Sequence, residues 1–297
     1  MKLFYLSFLT FLFFTACSQS AISSPMLWEI TGNNIKKPSY LFGTFHTKDP
    51  SINDLPYSVT SSLSRSQRLY TEISITKKST KKILDFSKLS KPSILKKRLH
   101  PKTIKKLLAH LKKTKSQQTL KTLSLYKTWS IALMLSNQTE NKEFQDALFM
   151  DETLIAYAKK KHIKQVALET PLEQLKYFDM LNASLQEQLL LDTLRQEVDN
   201  TYTQALKVWY LKGKAKGFQA LQARFSSSDP KQQKLDKTLN KGLLIERNTH
   251  FTRRINILLQ NNSSLSYFFA IGAGHMSSKK GIVQALEKLG YTVNKLD

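Results

Sequence analysis

Residues 266–296 read "SYFFAIGAGHMSSKKGIVQALEKLGYTVNKL". Tyr267 to Ile271 form an apolar run of strand length. Gly272 and Gly274 then let the backbone turn sharply before His275. "KKGIVQALEKLG" reads as a helix and "YTVNKL" as a second strand, so the segment is a βαβ unit. Such a unit implies parallel strands and a right-handed crossover. The expected fold class is therefore α/β, with a central, mainly parallel sheet. An echo lies near the start of the chain. "SYLFGTFH", residues 39–46, also begins Ser-Tyr, runs through apolar residues and ends in Gly-x-x-His, here Gly43 to His46.

Reading outward adds further elements. "LWEIT" (27–31) reads as a strand, "GNN" as a turn and "SYLFGT" as the second strand of a hairpin. "DLPYSVTSSLSRS" has Leu55, Val59 and Leu63 near helical spacing. "LYTEISI" (69–75) reads as a strand that carries Glu72 in a β-favouring run. The middle is mostly helical: 103–113, 125–137 and 150–162 show apolar residues at i, i+3 and i+4. "KQVALET" (164–170) is a short β-rich run, and Pro171 opens a long helical stretch to about residue 194. Further helices are expected over 195–211, 217–224 and 238–260, with breaks at "GKAKG" and "SSSDP". No break has the composition of an interdomain linker. Residues 27–297 are expected to form one α/β domain with a large helical insertion over about 76–260.

The chain has 297 residues, 41% apolar and 23% charged, which is the range of a globular protein with a substantial core. Its formal net charge is +24. That raises nucleic acid and anionic membrane surfaces as partners. The lysines are widely spread, with no aromatic-spaced basic motif and no zinc-finger spacing. No nucleic-acid partner is expected.

The single cysteine, Cys17, excludes an intrachain disulfide. Residues 1–16, "MKLFYLSFLTFLFFTA", have one early lysine and then an apolar run, the layout of a secretory signal. "FTAC" resembles a bacterial lipobox with Phe14 in place of the more usual Leu. The resemblance implies cleavage before Cys17, lipid on its sulfur and amino group, and residues 17–26 as a polar tether. Ser18 after the cysteine favours the outer membrane in that family. The expected location is the cell envelope, lipid-anchored and facing the periplasm.

Four expected strands end in, or carry near their ends, a chemically capable group: His46, Glu72, Glu169 and His275. In open parallel sheets, ligands sit outside the carboxyl ends of the strands. Gly43, Gly272 and Gly274 would let the backbone bring the imidazoles close to a ligand. Two imidazoles with one or two carboxylates suit Zn²⁺, Mn²⁺, Co²⁺ or Fe²⁺. The same set also suits metal-free acid–base chemistry. "IERNTH" (245–250) adds Arg247, able to clamp a carboxylate of the substrate or of a site glutamate, and Asn248, able to hydrogen-bond a peptide carbonyl.

The ordered set "LWEI…SYLFGTFH", "LYTEIS", "MDETLIAYAKKKHIKQVALETPLEQL", "IERN" and "FFAIGAGHMSSKKGIVQALEKLGYTV" resembles the TraB/PrgY/GumN family over roughly residues 27–297. The nearest branch is GumN-like, and the Tiki branch is similar in its paired Gly-x-x-His motifs. The resemblance implies a fold related to erythromycin-esterase and ChaN-like proteins, and a metal-dependent hydrolase acting on peptides. On that basis His46, His275 and Glu72 are expected to hold a divalent metal (Mn, Co or Zn). Glu169 is expected as base or orienting group, Arg247 as oxyanion or terminus binder, and Asn248 beside it. The alternative is an envelope lipoprotein that binds a peptide or polysaccharide without turnover. "GHMSSKKG" departs from the glycine-containing pattern of relatives at Ser277, Ser278 and Lys279, which puts substrate carry-over in doubt.

Overall fold

The computed structural model describes residues 22, 24–74, 76–91, 93–136, 147–196, 201–213, 215, 217–276 and 279–296. The expected signal segment, most of the tether, Cys17, Ser277 and Ser278 lie outside them. Six strands form one sheet: β1 Leu27–Gly32, β2 Ser39–Thr44, β3 Arg68–Thr71, β4 Lys164–Ala167, β5 Tyr267–Gly272 and β6 Tyr291–Leu296, in the order β4-β3-β5-β2-β1-β6. β2 pairs parallel with β5, and β3 pairs parallel with both β5 and β4. β1 runs antiparallel to β2 and to β6, so the sheet is mixed and mostly parallel. β5 and β6 run parallel, as the closing βαβ unit requires, but β2 and β1 lie between them.

The strands read as buried for a physical reason. All six residues of β2 are buried, and so are five of the six in β5. A strand with no polar face needs cover on both sides, which helices supply. The main core joins Phe42, Phe268 and Phe269 to helix residues Leu63, Leu154, Phe251, Ile255 and Leu286.

The helices follow in chain order. α1 (Pro50–Asn53) and α2 (Tyr57–Ser64) lie between β2 and β3. After β3 come α3 (Lys77–Ser87), α4 (Leu95–Arg98), α5 (Pro101–Lys113), α6 (Leu120–Leu123), α7 (Thr128–Ser136) and α8 (Met150–Lys160). β4 interrupts the helical region. Then follow α9 (Pro171–Asp179), α10 (Ala183–Gln196), α11 (Thr201–Leu211), α12 (Phe218–Arg224) and α13 (Pro230–Leu239). α14 (Arg247–Asn261) precedes β5, and α15 (Ile282–Lys288) precedes β6. The region between β3 and β5 has a core of its own, in which Leu107, Leu123, Ile131 and Leu190 are fully buried. No described helix is long and apolar enough to cross a membrane.

Two helices differ from their sequence patterns. The stretch opened by Pro171 is not continuous. Asn182 accepts from the Leu185 amide at 3.0 Å and starts a new helix, as a short side chain that competes for backbone donors does. The helix expected over 238–260 begins earlier, at Pro230. Its cap is Asp229, which accepts from the Lys231 amide at 2.9 Å. That helix then loosens into a π-turn, Asn240–Glu246, before α14.

Candidate functional site

Strand register gathers the expected groups. Thr44 stands opposite Gly272, and Thr71 opposite both Ala270 and Ala167. Backbone pairing continues past the ends of β3 and β4, where the Leu168 amide donates to the Thr71 carbonyl and the Glu169 amide to the Glu72 carbonyl, each at 2.8 Å. Glu72 and Glu169 therefore sit side by side just beyond the carboxyl ends of neighbouring strands. The Gly272 amide, at the end of β5, donates to Glu72 Oε1 at 2.7 Å. A Cβ at Gly272 would stand 3.2 Å from that oxygen, so the missing side chain permits the approach.

Arg247 reaches the same point from the first residue of α14. Its Nε and Nη2 donate to Glu169 Oε1 at 2.9 and 2.5 Å, and Nη2 also bonds Glu72 Oε2. Nη1 donates to the Leu243 carbonyl at 3.1 Å, inside the π-turn. Inserting one extra residue in a helical turn re-aims the side chains that follow, and such turns recur at functional sites. Gly242 sits in this turn; a Cβ there would come 2.5 Å from the Tyr177 ring. Burial pushes Glu72 upward, but Arg247 and His275 outweigh it and hold its carboxyl below the usual range. Burial leaves Glu169 raised, with Arg247 limiting the rise. Burial alone would lower Arg247, yet the two carboxylates keep it raised.

His275 is buried. Asn248 donates through Nδ2 to the Lys280 carbonyl at 2.8 Å, which turns its Oδ1 toward His275 Nδ1 at 2.6 Å. Nδ1 then carries the proton, and Nε2 presents a lone pair 3.2 Å from Arg247 Nη1 and 3.9 Å from Glu72 Oε1. Burial dominates its titration and lowers it from 6.5 to about 4, against the pull of Glu72. The imidazole is neutral at physiological pH. Phe251 closes the cluster, edge-on to His275 at 5.3 Å and under the guanidinium at 5.0 Å.

His46 takes a different place. Its ring stacks on Phe149 at 4.0 Å, with an edge open to solvent. Surrounding protein lowers its pKa, and Glu72 and Glu152 oppose that. It thus shares the field of Glu72 without joining the Arg247 cluster. A residue to which the sequence reading assigned no role, Asp151, also feels the charge of Glu72. It lies in the first turn of α8 and is bonded by the Thr44 hydroxyl. Burial, reinforced by Glu72, raises its pKa from 3.8 to about 6. The Tyr210 hydroxyl, which feels the charge of Asp151, donates to the Gly43 carbonyl at 2.8 Å. In sequence "MDET" marks the start of a helix and part of the family pattern; an acid there also meets the helix dipole and gives no separate signal of a site.

The expected metal set is not gathered as folded. Among the described residues, no three His, Cys, Asp or Glu side chains converge on one point. The charge that faces Glu72 and Glu169 is a guanidinium, and His46 is turned to Phe149. His275 has the tautomer and the supporting bond of a metal ligand. Among the described residues Glu72 is the carboxylate recorded beside it, and Arg247 occupies that approach. Gly43 and Gly274 serve packing: added Cβ atoms would meet Ala273 at 3.1 Å and Phe218 at 3.3 Å respectively.

Comparison with known proteins now adds a context. The TraB/PrgY/gumN family model matches residues 26–295. The "Metalloprotease TIKI homolog" of Nematostella vectensis is 26% identical over 86% of this chain, and that of Amphimedon queenslandica 27% over 94%. The chain spans 64% and 63% of the lengths of these two relatives. "Metalloprotease TIKI2" of Danio rerio is 39% identical over a shorter stretch, 20% of the chain. No solved structure matches the chain.

The cluster generates two predictions. Arg247→Met leaves two buried carboxylates without their counter-charge and is expected to cost about 3–5 kcal/mol in urea unfolding. Adding Glu72→Gln and Glu169→Gln to that variant should restore most of the loss, because the uncompensated charges are then gone. The second concerns pH. Asp151 titrates at 3.8 unfolded and about 6 folded, so its contribution is full below 3.8 and is lost as pH rises through 6. Asp151→Asn removes that dependence. Its melting temperature should match wild type at pH 3.5 and exceed it increasingly toward pH 7; a constant difference would contradict the assignment.

Proposed function

The chain belongs to the TraB/PrgY/gumN family, and on that premise we propose that it is a hydrolase acting on peptides at the cell envelope. The observation that carries this reading is the neutral His275 held beside Glu72 and a buried arginine at the carboxyl edge of the sheet. Relatives named as metalloproteases support it. We also take the fold to be kin to the erythromycin-esterase and ChaN-like proteins, which a mostly parallel sheet with helical cover accommodates.

The residues divide the work as follows. Asn248 orients His275 and fixes its tautomer. Glu169 locks Arg247, whose five donors are all engaged by Glu72, Glu169, the Leu243 carbonyl and His275, so an oxyanion binds there by displacing one of these partners. Asp151 titrates near neutrality and is the group best matched to give and take a proton. His46 stands at the open edge, where a substrate enters. Since the donors as folded do not form a metal shell, we route no step through an ion. A metal requirement rests on the relatives' names, which do not distinguish Mn, Co and Zn.

A second reading, a binding lipoprotein for a peptide or polysaccharide, is favoured by one fact: the donors of Arg247 are already engaged within the protein. For location we propose cleavage before Cys17, lipidation of that residue and an outer-membrane anchor, with the +24 charge adding attraction to anionic lipid.

Two experiments decide. Peptide cleavage is followed by mass spectrometry with chelator and with each metal in turn. Wild type should cleave, and His275→Ala and His46→Ala should each lower kcat/KM by about a hundredfold or more. Binding without turnover under every condition favours the second reading. For the anchor, Cys17→Ser is expected to shift the protein from the membrane to the soluble fraction; an unchanged distribution rejects lipidation there.

A further inference from the structure

A cavity of about 260 Å³ opens between the starts of α3 and α9, with Glu169 in its lining. Lys78, Lys82 and Ser79 line one wall, and Glu169, Thr170 and Leu172 the other. Lys78 and Lys82 are four residues apart and so share a helix face. Their neighbour Lys81 pairs with Asp85. Lys78 and Lys82 themselves make no ion pair among the described residues. Arg247 carries one charge against Glu72 and Glu169 together, which leaves a single negative charge against the two lysines. The cavity is therefore net positive. The amino-terminal turns of two helices, of 11 and 9 residues, add to that sign. Ala167, Pro171 and Leu172 supply an apolar side. The volume is below that of a drug-sized pocket and suits a single residue.

We infer that this cavity receives a carboxylate of the substrate, carried on a short carbon stem, beside the bond to be cut. Two sources share that chemistry: an aspartate or glutamate side chain, and a free peptide C-terminus. The inference rests on the hydrolase reading and names its substrate class. Lysines fix the anion while the apolar wall takes the stem. Because the cavity shares Glu169 with the Arg247 cluster, an occupant lies next to the groups that would act on it.

The test uses four fluorescent peptides of one sequence: with glutamate or glutamine at one position, and with a free or an amidated C-terminus. Affinity is measured by anisotropy for wild type and for Lys78→Gln/Lys82→Gln, both exposed positions outside the proposed machinery. Wild type should bind one carboxylate form at least about fivefold more tightly than its neutral counterpart. The double variant should lose that preference and bind the neutral peptide as wild type does. Which pair shows the preference identifies the source. Equal binding of all four peptides, or a preference that survives the double variant, overturns the inference. Cleavage of the same peptides separates it from the hydrolase reading. Preference in binding without any cleavage rejects the hydrolase and keeps the anion cavity. Cleavage with no preference rejects the cavity and keeps the hydrolase. With both in place, the double variant should raise KM and leave kcat unchanged.

Discussion

The ion cluster of Arg247, Glu72 and Glu169 is the constraint on which the rest of the site depends. Two carboxylates stand side by side because their strands are parallel and in register. Like charges that close, in a site closed from water, do not coexist without a cation. Arg247 is that cation, and three of its nitrogens are committed to the two acids and His275. His275 is kept neutral first by burial, with the guanidinium beside it acting in the same direction, and Asn248 decides which nitrogen keeps the proton.

The arginine's position is in turn a matter of helix geometry. An α-helix running straight from Pro230 to Asn261 would present residue 247 at a different angle. The π-turn at Asn240–Glu246 shifts the phase, and Gly242 allows it to pack against Tyr177. The cluster is thus made from two devices, strand register from one side and a loosened helix from the other. Neither is local to the acids they serve.

This explains what could be read from sequence. Strands are short apolar runs, so the ends of β2, β3, β4 and β5 were visible, and with them His46, Glu72, Glu169 and His275. The arginine was visible as a clamp for some carboxylate, and the glutamates of the chain itself are what it holds. The gathering of a metal set was not readable, because which side chain occupies the space between two acids depends on tertiary approach. His46 lies at the right strand end yet turns to Phe149, a partner 103 positions away that no local pattern links to it. Asp151 was hidden in a helix start, where an acid is ordinary. The break at Asn182 was hidden by apolar spacing that continues across it.

The sheet order carries a kinetic meaning. β5 lies between β3 and β2, and β6 is zipped to β1, so the first strands are completed by the last. Until residues beyond about 267 leave the ribosome, β2 and β3 each have an unfilled side. Pairings of such long sequence separation close slowly. A nascent chain therefore carries no assembled cluster, since Arg247, Asn248 and His275 arrive after both glutamates. Whatever chemistry the cluster performs is withheld until β5 and the turn after it have been made.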